Sequence, residues 1–151
     1  MNILIVSQYF WPEEFRVNDL AIDLVKRGNK VTVLTGNPNY PSGDFFKGYG
    51  FKFVIENYQG IEIYRMPIIP RGKSSLTLIL NYLSFALTGS LFLLFHKVQY
   101  DKVFAINFSP ITAVYPAIVY KKLHNKQLYL WVQDLWPESV SATGKINSNF
   151  V

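Results

Sequence analysis

Short apolar runs alternate along the chain with amphipathic stretches, the pattern of strands and helices taking turns in an α/β domain. Ile3 to Val6 is a continuous apolar run, as expected of a central parallel strand buried on both faces. It breaks at Ser7-Gln8, and Trp11-Pro12-Glu13-Glu14 is expected to open a helix. Acids near that start and Lys26 and Arg27 near the end complement the helix dipole. Val17, Leu20, Ala21, Leu24 and Val25 recur at helical spacing, with Gly28 as the expected stop. Lys30 to Thr35 reads as a second strand, closing a βαβ unit whose crossover should be right-handed.

Residues 36–50 carry Asn37, Pro38, Asn39, Pro41, Gly43, Gly48 and Gly50, a long loop of the kind that is usually functional or mobile. Phe51 to Tyr58 and Ile61 to Met66 alternate around Gln59-Gly60 and predict a hairpin or two short strands. Lys102 to Ile106 is a further strand, Ile111 to Lys122 a helix stopped by Asn125, and Gln127 to Val132 a last strand. Beyond Ser139 a short helix or loop and a polar tail are expected.

Ser75 to Phe95 is 21 residues without a charge, long enough to span a bilayer. Its polar residues Thr77, Asn81, Ser84 and Thr88 fall on one narrow stripe. A spanning helix would put the strands before and after it on opposite sides of a membrane, cutting one sheet in two. Two readings remain open and do not exclude each other. One is a deeply buried crossover helix. The other is a helix whose broad apolar face also dips into a membrane surface, with Arg71, Lys73, His96 and Lys97 flanking it.

At 151 residues the chain fits one domain, residues 1–151, with a full core. The composition is 50% hydrophobic and 17% aromatic, more than a small core needs, so some rings should meet a ligand, a partner or a membrane. A net charge of +5 suits anionic lipids or phosphorylated substrates. Lys and Arg form no run and no aromatic-basic motif, so nucleic acid ranks last as a partner. The absence of cysteine removes thiolate chemistry and disulfides and fits a cytoplasmic protein. Met1 to Val6 lacks a basic leader and a cleavage site, and reads as a strand rather than a signal peptide.

Phosphate-loop, zinc-protease and nucleophile-elbow patterns are missing, and the first strand-to-helix turn contains no glycine, which argues against a dinucleotide. His96 and His124 fall at helix ends and read as surface residues, so no metal and no cofactor are expected. The polar residues instead gather where strands finish: Ser7-Gln8, Thr35-Gly36-Asn37, Asn107-Phe108-Ser109 and Gln133-Asp134. Parallel strands expose these ends on one edge, where α/β proteins bind ligands. Amides and hydroxyls with a few acids suit sugar hydroxyls, which need both donors and acceptors. Loop capping explains each such residue singly; four strands ending alike are harder to explain that way. The segment Trp131 to Ser139 adds two tryptophans, Asp134, Pro137 and Glu138 at the last strand's end. It reads as a binding site, as a helix start, or as both.

Three stretches together carry a family resemblance: Gln8-Tyr9-Phe10-Trp11-Pro12-Glu13, then Val33 through Gly43 with its Thr-Gly-Asn-Pro-Asn-Tyr-Pro core, then Gln133-Asp134-Leu135-Trp136-Pro137-Glu138-Ser139. They resemble the N-terminal domain of family-4 retaining glycosyltransferases, closest to the bacterial branch that builds O-antigen, capsule and colanic-acid polysaccharides, including fucosamine-transferase-like members. The resemblance implies a Rossmann-like parallel sheet flanked by helices, the N-terminal half of a GT-B fold, with a donor-binding C-terminal domain absent from this chain. It implies catalytic roles for Asp134 and Glu138 and substrate contacts from Gln8, Glu14, Arg16, Asn37, Tyr40, Asn107 and Trp136. It further implies a nucleotide-sugar as donor substrate, no metal, and transfer to a lipid-linked saccharide at the cytoplasmic face of the bacterial inner membrane. The fragment alone is expected to be inactive. Two positions depart from many relatives: Phe15-Arg16 stands near a usual glycine pair, and Asp134 stands in place of a histidine. Arg16 would then meet diphosphate, or form a surface ion pair. A sugar-nucleotide 2-epimerase of the same architecture and a non-catalytic membrane-surface module are the alternatives.

Overall fold

The protein is described by a computed structural model covering residues 1–108 and 110–133. Six strands form one sheet in the order β3-β4-β2-β1-β5-β6. They are β1 (Asn2–Val6), β2 (Lys30–Gly36), β3 (Val54–Tyr58), β4 (Ile61–Met66), β5 (Lys102–Asn107) and β6 (Leu128–Val132). All neighbours pair in parallel except β3, which runs antiparallel to β4 at the edge. The expected mixed α/β, Rossmann-like architecture is therefore present.

The apolar run of β1 is explained by its central place. Ile3 and Ile5 point to one face, where they meet Val31, Val33 and helix α1 (Arg16–Lys26) through Val17 and Ala21. Leu4 and Val6 point to the other, where they meet Leu34, Val103 and Ala105. That second face is covered by α2 (Ser75–Phe95), a 3₁₀ turn over Ile111–Val114 and α3 (Tyr115–His124). The strands on either side of α2 belong to the same sheet, as the sequence argument required. A Cβ on Gly89 would lie 2.9 Å from Pro116 Cγ and 3.4 Å from Leu34 Cδ2, so α2 comes close to α3 and the sheet at the price of having no side chain there.

The hairpin forms around Gln59 and Gly60, both with positive φ, 50° and 81°. That is the backbone twist a two-residue hairpin turn needs. Asn125, left-handed at φ 49°, stops α3 as expected.

Four expectations need correction. The first helix opens at Arg16, not at Trp11-Pro12-Glu13-Glu14. Asn18 holds the preceding turn out of helical form: its Oδ1 accepts from Trp11 N at 3.0 Å and its Nδ2 donates to Glu13 O at 2.8 Å. The helix expected from Ile111 begins as a 3₁₀ turn and becomes α-helical only at Tyr115, where Pro116 fits the first turn. His96 is half-buried rather than free at the surface: it stacks on Phe92 at 4.7 Å and meets the Tyr100 hydroxyl at 3.1 Å, and burial lowers its pKa. Finally, α2 is not deeply buried, for only 22% of its most apolar window is covered.

Candidate functional site

Register fixes where the strand tips lie. Val6 stands beside Leu34 and beside Ala105, and Asn107 beside Val132. One step further, Gly36 N donates to Gln8 O at 3.1 Å and Gln133 N donates to Asn107 O at 3.0 Å. Gln8, Asn37, Asn107 and Gln133 therefore share the carboxyl edge of the sheet. Asp134, Trp136 and Glu138, like Ser109, lie outside the described residues.

Gln8 and Asn107 extend the stripes Leu4-Val6 and Val103-Ala105, so both point toward α2 and the 3₁₀ turn. Gln8 is only 2% exposed. Its Nε2 donates to Asn81 Oδ1 at 2.7 Å, and Asn81 Nδ2 donates to Ile69 O at 2.6 Å. The Ile69 carbonyl fixes the orientation of both amides and turns Gln8 Oε1 away as a free acceptor. Asn107 Oδ1 and Thr112 Oγ1 likewise have no hydrogen-bond partner among the described residues. A buried acceptor left so costs about 1–3 kcal/mol.

On the opposite face, Glu13 is buried at 3% exposure in the loop between β1 and α1. Its Oε1 accepts from Asn39 N and Tyr40 N, both at 2.8 Å, and its Oε2 from Phe10 N at 3.3 Å. One carboxylate thus joins the loop after β1 to the loop after β2. Burial pushes its pKa up to about 7, against the pull of those three N–H groups and of Arg65.

Above this clamp sits an aromatic group. Tyr9 stacks on Phe15 at 5.1 Å, and Phe15 meets Tyr40 at 5.4 Å and Phe108 at 4.7 Å. The Arg71 guanidinium lies 5.3 Å over the Tyr40 ring, and its Nη1 donates to the Tyr9 hydroxyl at 3.3 Å. Tyr40, 38% exposed, presents a ring to solvent beside this cation. Burial raises the Tyr9 pKa further above its ordinary range, so it stays a neutral donor at any working pH.

No protein-family model and no curated protein matches the chain.

The residues expected to bind substrate divide accordingly. Gln8 and Asn107 lie at the edge on the α2 face, each with a buried oxygen unpartnered among the described residues, whereas Tyr40 presents an open ring on the opposite face. Asn37 is also at the edge, but its Nδ2 is committed to the carbonyls of Gly50 at 2.8 Å, Lys52 at 2.6 Å and Met66 at 3.3 Å. It fastens the 37–53 loop to the sheet, leaving a buried Oδ1 without a partner among the described residues. Glu14 and Arg16 are exposed at the start of α1 and make no hydrogen bond or ion pair among the described residues. Among those residues no cluster of His, Asp or Glu could hold a metal.

Sequence reasoning missed Glu13, Asn81 and Arg71 as residues that shape this edge. Asn81 had a signal: it sits on the polar stripe of α2. That stripe fastens the chain after β4, with Ser84 Oγ accepting from Ile69 N at 3.0 Å. In sequence Glu13 reads as an acid at a helix start and Arg71 as a basic flank of α2, since nothing local tells a buried carboxylate from a solvated one.

Proposed function

We propose that this chain is the acceptor-side half of a retaining glycosyltransferase. It would bind a lipid-linked saccharide during bacterial surface polysaccharide synthesis, while a second Rossmann-like domain holds most of the nucleotide-sugar. The observation that carries this reading is the Glu13 clamp. It ties Tyr9-Phe10-Trp11-Pro12-Glu13 directly to Asn39 and Tyr40, so two of the three stretches behind the family resemblance meet at one ligand-binding edge. The chemistry of that edge suits a sugar attached to phosphate. The Tyr40 face can cover a pyranose and Arg71 beside it can meet a phosphate oxygen, whereas the buried Gln8 Oε1 and Asn107 Oδ1 would accept from a ring hydroxyl only on opening of the edge.

Asp134 and Glu138 follow β6 in sequence and are proposed to act on the acceptor hydroxyl and the transferred sugar. The test is sugar transfer by the protein carrying both halves. Incubation with nucleotide-sugars and a polyprenyl-diphosphate saccharide should yield an extended lipid-linked product. Asp134→Ala or Glu138→Ala should lower the rate about a hundredfold without changing the melting temperature. Rates like the parent's in both variants would remove the two acids from the mechanism. Conversion of the nucleotide-sugar without any acceptor would identify an epimerase instead.

A further inference from the structure

Helix α2 has a second apolar face that the fold leaves uncovered. Its buried positions, Asn81, Phe85, Gly89 and Leu93, recur every four residues and face the rest of the domain. Leu76, Leu80, Leu83, Leu87, Leu91 and Leu94 point the other way and are between 37% and 67% exposed. At 100° per residue these six leucines fall within an arc of about 80°, and they run about 27 Å along the axis. Single exposed leucines are ordinary; an uninterrupted band of this length is not expected of a surface that faces only water.

Charge decides what covers the band. From Pro67 to Tyr100 the chain has no Asp and no Glu, whereas Arg71 and Lys73 precede the helix and Lys97 follows it. A second copy laid against the band, in either direction, would set basic ends against basic ends with no acid in the segment to balance them. A bilayer bearing anionic headgroups accepts both the leucines and the flanking cations. The strands before and after α2 share one sheet, so the helix can lie along such a surface but cannot cross it.

We propose that the leucine face of α2 docks this chain on an anionic membrane, with the helix in the interfacial plane and Lys73 and Lys97 against headgroup phosphates. The Asn81–Gln8 hydrogen bond puts the first turns of α2 at the carboxyl edge of the sheet. Docking therefore leaves the candidate site at the membrane border, where an acceptor with a lipid tail would be met. The docking does not depend on sugar transfer, so each can fail alone.

The test is flotation of the purified chain with vesicles of phosphatidylcholine alone and of phosphatidylcholine mixed with phosphatidylglycerol, with sedimentation velocity run in parallel. The chain is expected to float with the mixed vesicles, less so as salt rises. Lys73→Gln and Lys97→Gln should each weaken partition about fivefold. Leu83→Glu with Leu87→Glu should abolish it while the circular dichroism melt stays that of the parent, because both side chains are already exposed. No flotation of the parent chain, or undiminished flotation of the double variant, overturns the proposal. So does equal partition onto phosphatidylcholine alone, or a dimer that the double glutamate variant splits in a chain that ignores vesicles.

Discussion

Arg65→Ala is expected to destabilise the fold by about 3 kcal/mol or more, read from urea denaturation at neutral pH. The guanidinium is completely buried in β4 and bonds through each of its three nitrogens. Nε pairs with the Glu56 carboxylate across the β3–β4 hairpin, Nη2 donates to the Trp11 carbonyl, and Nη1 donates to the Gly36 carbonyl at 3.3 Å. The Tyr49 ring covers it at 5.0 Å. Truncation would strand two carbonyls and leave Glu56 with only the Tyr49 hydroxyl, 3.1 Å away, and solvent. Glu56 is 23% exposed, so water recovers part of its loss and the cost falls at the lower end for a broken buried pair. Lysine at this position keeps the charge but not the fork, and should recover less than half of the loss. A change below about 1 kcal/mol would mean that Arg65 behaves as a surface residue and that the loops it ties are held by other contacts.

The second large effect concerns Glu13 and pH. Its folded-state pKa, about 7, stands above the ordinary 4.5. The native state therefore holds this proton more tightly than the unfolded chain does. The stabilisation is complete below about pH 4.5, declines as pH rises, and is gone above about pH 7, a difference on the order of 3 kcal/mol. Glu13→Gln mimics the protonated acid. Its carbonyl can still accept from Asn39 and Tyr40, but its amide nitrogen cannot accept from Phe10 N, so that 3.3 Å contact is lost. The variant should fall about 1 kcal/mol below the parent near pH 4.5 for want of the Phe10 contact, exceed it by about 2 kcal/mol at pH 8, and lack this component of the pH dependence. Denaturation at a series of pH values decides the matter. A parent and a variant whose stabilities stay parallel from pH 4 to 8 would show that Glu13 does not titrate in this window. Glu13→Ala, which removes the shared acceptor, should be less stable than both at every pH.

Both predictions concern the carboxyl edge, and both residues escaped the sequence reading for one physical reason. Arg65 lies on the same period-2 face as Ile61 and Ile63, and the alternation does not say whether a charge near the strand's end is covered. Its environment depends on the loops that come over it from Trp11 and Gly36, far away in sequence. Glu13 likewise reads as a dipole-complementing acid at a helix start until the backbone of Asn39 and Tyr40 arrives beside it. The strand tips were easier. Ser7-Gln8, Gly36-Asn37 and Asn107 mark where apolar runs stop, and parallel pairing alone brings such points to one edge. What each tip does with its side chain was not legible: Gln8 leaves a free oxygen, whereas Asn37 spends its amide nitrogen on the loop.

The sequence by itself determined the alternation of strands and helices, the hairpin at Gln59-Gly60, the stop at Asn125 and the membership of β4 and β5 in one sheet. Each follows from local periodicity, from turn chemistry, or from the rule that a sheet is not cut by its own crossover. Only the tertiary structure decided that α1 waits until Arg16, that Glu13 and Arg65 are interior, and that one side of α2 stays bare. Burial is set by what arrives from elsewhere in the chain. An apolar helix reads the same in sequence whether its far side meets protein or nothing, and here α3, the 3₁₀ turn and the sheet cover only one side.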